Sequence, residues 1–159
     1  MRIPHIQYLF VFAVLFPLLS FGQGMATAFQ KAENSGVSIA VLDSLYKSAL
    51  HADTLLAAFA GKEKEFQGAY ISLLKELGDF LHNSNFKWQK QTRCFNRIYI
   101  NKTGKIDYFL FNFSPGEIEQ EKEQEFERLL SEFIKNYRFP LTNTTNFAQC
   151  SPVRYADKP

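Results

Sequence analysis

Apolar positions follow three different spacings along this chain. An unbroken apolar run covers Tyr8 to Leu19, and a small, polar, aperiodic stretch follows from Gln23 to Gly36. Ser38 then stands ahead of Ile39, Leu42, Leu45, Tyr46, Ala49 and Leu50, a helical stripe with a capping residue. Thr54 to Gly61 is apolar but irregular. A longer helix is predicted over residues 62–82, where Phe66, Ala69, Tyr70, Leu73, Leu74, Leu77, Phe80 and Leu81 make one continuous face opposite lysines and glutamates. Asn83-Ser84-Asn85 ends it.

The period then changes to that of strands. Phe95 to Ile100 and Lys105 to Phe113 flank Asn101-Lys102-Thr103-Gly104, whose glycine can supply the left-handed residue of a bulged hairpin turn. Pairing Ile100 with Ile106, Ile98 with Tyr108 and Asn96 with Leu110 leaves Phe95, Arg97, Tyr99, Asp107, Phe109 and Phe111 on the opposite face. Ser114-Pro115-Gly116-Glu117 reads as the capped start of a third helix carrying Phe126, Leu129, Leu130, Phe133, Ile134 and Tyr137. Phe147 to Tyr155 reads as a final strand that Pro152 confines to an edge or a bulge. These elements predict an α+β fold. Its N-terminal helices pack on a three-stranded, mostly antiparallel sheet, and its C-terminal half has the order β-β-α-β. Residues 38–159 form one domain, with a helical half at 38–93 and the β-β-α-β half at 94–159, behind a flexible mature N-terminus at 23–37.

The first 22 residues read as a signal peptide. Arg2 and His5 make a basic start, the apolar run follows, and Ser20-Phe21-Gly22 places small residues at the two positions a signal peptidase reads. The run is short of the ~20 apolar residues a membrane-spanning helix needs, and Pro17 interrupts it. Cleavage before Gln23 and a periplasmic or secreted location are expected, with no stable membrane anchor afterwards. Removing Arg2 with the leader lowers the formal net charge from the +2 of the whole chain to +1. A nearly neutral chain offers no electrostatic case for nucleic acid. Of its 17 phenylalanines only Phe10, Phe12, Phe16 and Phe21 precede Gln23, so the mature part has the aromatic content of a packed domain.

The candidate chemistry is sparse. Cys94 and Cys150 are the two cysteines, and an even count in an exported chain points to a disulfide, the alternative being two buried free thiols. No other Cys or His stands at ligand spacing beside them, so neither a metal site nor a cofactor is expected. Catalytic motifs such as G-x-S-x-G and H-E-x-x-H are absent. The alternating glutamates from Glu117 to Glu127 spread around a helix axis and suit its solvated entry. The face of Phe95, Arg97, Tyr99, Asp107, Phe109 and Phe111 is the candidate interaction face. Its competing role is a second core layer under the N-terminal helices, with Arg97 paired to Asp107.

The stretches RIYINKTGKIDYFLFNF, EFERLLSEFIKNYRFP and QCSPVRY, about 60 of the 159 residues, resemble the C-terminal domain of TonB-type energy transducers. The correspondence runs through Gly104, Phe139-Pro140 and Pro152-Val153-x-Tyr155. TonB proteins carry an uncleaved anchor and a long Pro-rich spacer, where this chain has a cleavable-looking signal and a helical half. The resemblance therefore implies the fold and a strand-addition mode of binding, with Lys105–Phe113 as the accepting edge, rather than energy transduction. The function expected is that of an exported, non-enzymatic binding protein with an unknown protein or peptide partner. A small extracytoplasmic enzyme is the alternative.

Overall fold

A computed structural model describes residues 24–158; the expected signal segment and Gln23 lie outside the described residues. The elements in chain order are β1 (Met25–Ala28), α1 (Phe29–Asn34), α2 (Ile39–Leu45), β2 (Lys47–Ser48), α3 (Glu63–Asn83), β3 (Thr92–Ile100), β4 (Ile106–Phe113), α4 (Gln120–Asn136) and β5 (Phe147–Tyr155). The strands form one five-stranded sheet in the order β1-β4-β3-β5-β2. Central β3 is antiparallel to both β4 and β5, while β1 lies parallel to β4 and β2 parallel to β5.

The α+β class stands, but the three-stranded, mostly antiparallel sheet is corrected to a five-stranded mixed one. The three strands expected from sequence are its middle. The two added strands are parallel partners at either side, drawn from the N-terminal half. Residues 23–37, expected to be flexible, instead supply β1 and α1 from Met25 onward. The helix expected from Ser38 stops at Leu45, because Tyr46 turns to extended backbone (ψ 116°). The amides of Lys47 and Ala49 then donate to the carbonyls of Asn146 and Ala148. Pairing with β5 satisfies these backbone groups where a longer helix would leave its apolar face in water.

Helices cover both faces of the sheet. On one, α3 and α4 bury Phe66, Leu73, Leu77, Phe126 and Leu130 against Ile98, Phe109 and Phe111. Each such side chain contributes about 1.5–3 kcal/mol on leaving water. α3 ends where Asn85 takes a left-handed conformation (φ +60°) and the Phe86 amide reaches the Leu81 carbonyl. On the other face, α1 and α2 place Ala32, Leu42 and Tyr46 against Tyr99, Leu110 and Ala148. α4 begins at Gln120, not after Ser114. Gly116 sits at φ +75° and closes a turn in which the Glu117 amide donates to the Ser114 carbonyl.

The hairpin turn forms as expected, with Gly104 at φ +85°. A β-carbon there would meet the Phe139 carbonyl oxygen at 2.5 Å, so the position demands glycine on two counts. The register beyond the turn differs. Ile100 pairs with Ile106 as expected, but Tyr99 pairs with Tyr108 and Ile98 with Phe109. Asp107 is the extra residue of a β-bulge. One added residue sends every later side chain of β4 to the opposite face.

Candidate functional site

The bulge divides the candidate interaction face. Phe95, Arg97 and Tyr99 remain together on the α1/α2 side, joined by Tyr108 and Leu110. Phe109 and Phe111 are fully buried under α3 and α4 on the other side. Four aromatic rings expected on one surface are thus shared between two cores.

Arg97 and Asp107 do not pair with one another. Arg97 donates to Asp43 Oδ2 (2.6 Å) from beneath α2, and its guanidinium lies 5.9 Å from the centre of the Phe29 ring. The Tyr99 hydroxyl donates to the other oxygen of Asp43 (2.8 Å). Asp107, re-aimed by the bulge, accepts from the Tyr46 hydroxyl (2.8 Å) and from Asn101 Nδ2 (3.1 Å). Burial, helped by these carboxylate partners, pushes the Tyr46 and Tyr99 hydroxyls well above the usual tyrosine range. Two tyrosine–aspartate bonds and one ion pair therefore fix α2 to the sheet. Asp43, on α2, and Tyr46, the residue that ends it, carry no sequence motif, and only their place three residues apart could have marked them.

Cys94 and Cys150 are both free, and the expected disulfide does not form. Cys94 is buried on the α3/α4 side, its Sγ donating to Asn96 Oδ1 (3.3 Å), while Asn96 in turn donates to the Tyr155 hydroxyl (2.7 Å). Cys150 is exposed on the other face, paired in register with Arg97. Three residues of β3 separate the two levels, roughly 10 Å along the strand. A disulfide needs Cα atoms within about 7 Å and side chains that point together. Burial pushes the Cys94 thiol up to about 12, and burial also raises Cys150, with Arg97 opposing. Among the described residues neither His51 nor His82 bonds to a cysteine. His51 accepts from the Asp53 amide, and His82 lies in the last turn of α3 beside Lys87.

The expected accepting edge, Lys105–Phe113, is not open. β1 pairs with it from Tyr108 to Phe111, and α4 supports β1 through Glu127, whose carboxylate accepts from the Thr27 hydroxyl (2.7 Å). The open edge is on β5. β2 pairs only with Phe147 and Ala148, so among the described residues no strand flanks the outer side of β5, away from β3, from Gln149 to Tyr155.

Beside that edge, α1 and α2 leave part of the sheet uncovered. Phe95 is half-buried, with Phe29 of α1 edge-on to it (6.2 Å), and Asn112 and Pro152 beside it are exposed. Arg93, Phe95, Asn112, Pro152 and Arg154 line a shallow cleft of about 560 Å³ there. A second hollow of about 300 Å³ continues along β5 between Asp43, Arg97 and Cys150. Glu117 accepts from the Arg93 backbone amide (2.7 Å), which holds its carboxyl below the usual range, and stands 3.6 Å from the Arg93 guanidinium. Among the described residues no three His, Cys, Asp or Glu are grouped to hold a metal, and no helix is long and apolar enough to cross a membrane. Comparison with protein-family models, with curated proteins and with solved structures found no match.

Proposed function

We propose that this is an exported binding protein, and that it engages a protein or peptide partner on the uncovered part of the sheet along β5. The observation that carries this reading is an unpaired outer edge on β5 directly beside an open, arginine-flanked shelf around Phe95 that spans β3, β4 and β5. Elsewhere the sheet is covered, by α3 and α4 on one face and by α1 and α2 over the rest of the other. The polar groups near the shelf are engaged with one another: Arg97 and Tyr99 hold Asp43, and Tyr46 and Asn101 hold Asp107. Burial raises the Cys150 thiol, away from the thiolate that nucleophilic chemistry uses. The arrangement suits recognition of a surface.

The test is photo-crosslinking in the native host, with a photoreactive residue at Asn112 on the shelf or at Lys64 on the exposed start of α3. A discrete adduct from position 112 and none from position 64 is expected. The same adducts from both positions, or none from 112, would overturn the reading.

A further inference from the structure

The direction of the β5 backbone groups follows from the bonds already made. The Ala49 amide donates to the Ala148 carbonyl on the outer side of β5, so alternation turns the backbone groups of Cys150, Pro152 and Arg154 outward as well. The Cys150 carbonyl is already taken by the side-chain amide of Gln149 (3.1 Å). Pro152 has no N–H. The outward donors left for a partner strand are the amides of Cys150 and Arg154. So sparse a ladder gives little affinity by itself and guards the edge against indiscriminate pairing.

Charge supplies what the ladder lacks. Arg93 and Arg154 stand directly opposite one another across β3 and β5, on the face of the shelf. Like charges so placed repel. Arg93 has Glu117 at 3.6 Å, but Arg154 has no hydrogen bond or ion pair among the described residues. A strand laid outside β5 would put one of its own side chains opposite Arg154, on the side away from Arg93. A carboxylate there would neutralise the uncompensated cation. The next side chain of such a strand would turn to the other face of the sheet. There Val153 is half-buried against the core, and Tyr70 is bonded to Ser151. Ile71, next to Tyr70, is 65% exposed.

We infer that β5 accepts an extended acidic segment of a partner, one that alternates carboxylate side chains facing Arg154 with apolar side chains facing Val153. This inference rests on the shelf-binding reading and specifies its ligand. The probe is a capped peptide in which valine alternates with glutamate and threonine, compared with its counterpart carrying lysine for glutamate. NMR hydrogen exchange on the mature protein reads the site, and titration reads affinity. The glutamate peptide is expected to slow exchange at the Cys150 and Arg154 amides and to bind at least about threefold more tightly than the lysine peptide. Arg154→Glu should reverse that order, and Arg154→Gln should abolish the difference. Arg154 is exposed, so both variants keep the fold, which their NMR spectra verify. Equal binding of the two peptides, binding of neither, or protection confined to another strand would overturn the inference. If the Asn112 crosslink persists in any of those cases, the acidic-strand inference alone falls. If that crosslink is absent, the binding reading falls with it.

Discussion

Gly24→Ala decides whether β1 occupies the β4 edge. A β-carbon at position 24 would stand 2.3 Å from the Ile106 carbonyl oxygen and 3.2 Å from Ile134 Cδ1. Ordinary contact begins near 3.4 Å, so two backbones must separate by about 1 Å, and no side-chain rotation relieves a clash with a carbonyl. The strand that must yield is weakly held. β1 has four residues, and ordering each costs about 1–2 kcal/mol. Against this stand ladder bonds worth about 1 kcal/mol each and the burial of Ala26 and Thr27 at about 0.8 kcal/mol per methyl-sized group. These nearly cancel, so an overpacking cost of about 1–3 kcal/mol is enough to release the strand. The melting temperature should fall by roughly 4–12 °C. The β4 amides that face β1 should lose exchange protection while those facing β3 keep theirs. Gly68→Ala is the control: it lies on α3 with nothing within 4 Å of the added carbon, and should stabilise by about 0.5–1 kcal/mol. Unchanged exchange and melting in Gly24→Ala would refute the pairing and leave β4 open to a partner, as expected from sequence.

Three further outcomes are measurable, two from the geometry and one from the sequence of the leader. Native, unreduced protein should offer one accessible thiol, Cys150, and a second only on denaturation, since Cys94 is buried and burial pushes its thiol up to about 12; no titratable thiol after denaturation would restore the disulfide. Tyr46, Tyr99 and Tyr155 have their pKa values raised by burial, so their protonated forms favour the native state: stability should hold up to about pH 10 and then decline as the unfolded chain ionises first, by up to about 1.4 kcal/mol per pH unit per tyrosine. Chemical denaturation across pH 8–12 measures this, and a flat profile would count against those buried hydroxyls. Protein exported by its native host should have an intact mass that begins at Gln23; a mature species retaining Met1 would contradict the signal reading.

Much of the fold was legible from local pattern. α3 and α4 announce themselves by apolar stripes, the hairpin by Gly104 between two alternating segments, and β5 by its position after Pro140. Each is a regularity carried by neighbouring residues. Of the candidate site, Phe95, Arg97 and Tyr99 were correctly grouped, because strand alternation alone puts them on one face. Phe109 and Phe111 were not, since the bulge at Asp107 leaves no mark in the alternation of large apolar residues that are buried on both faces. The partner of Arg97 was missed because Asp43 lies more than 50 residues away on another element.

By itself the sequence determined the α+β class, the two long helices α3 and α4, the hairpin and the need for glycine at its turn, because these depend on period and on backbone conformation within a few residues. The tertiary structure alone decided that Met-Ala-Thr-Ala becomes an edge strand, that the helix after Ser38 yields to β2, and that Cys94 and Cys150 face opposite sides of the sheet. Those outcomes rest on which distant backbone groups each segment can satisfy. Short segments of small or mixed residues carry too little preference of their own to resist the strand that lies beside them.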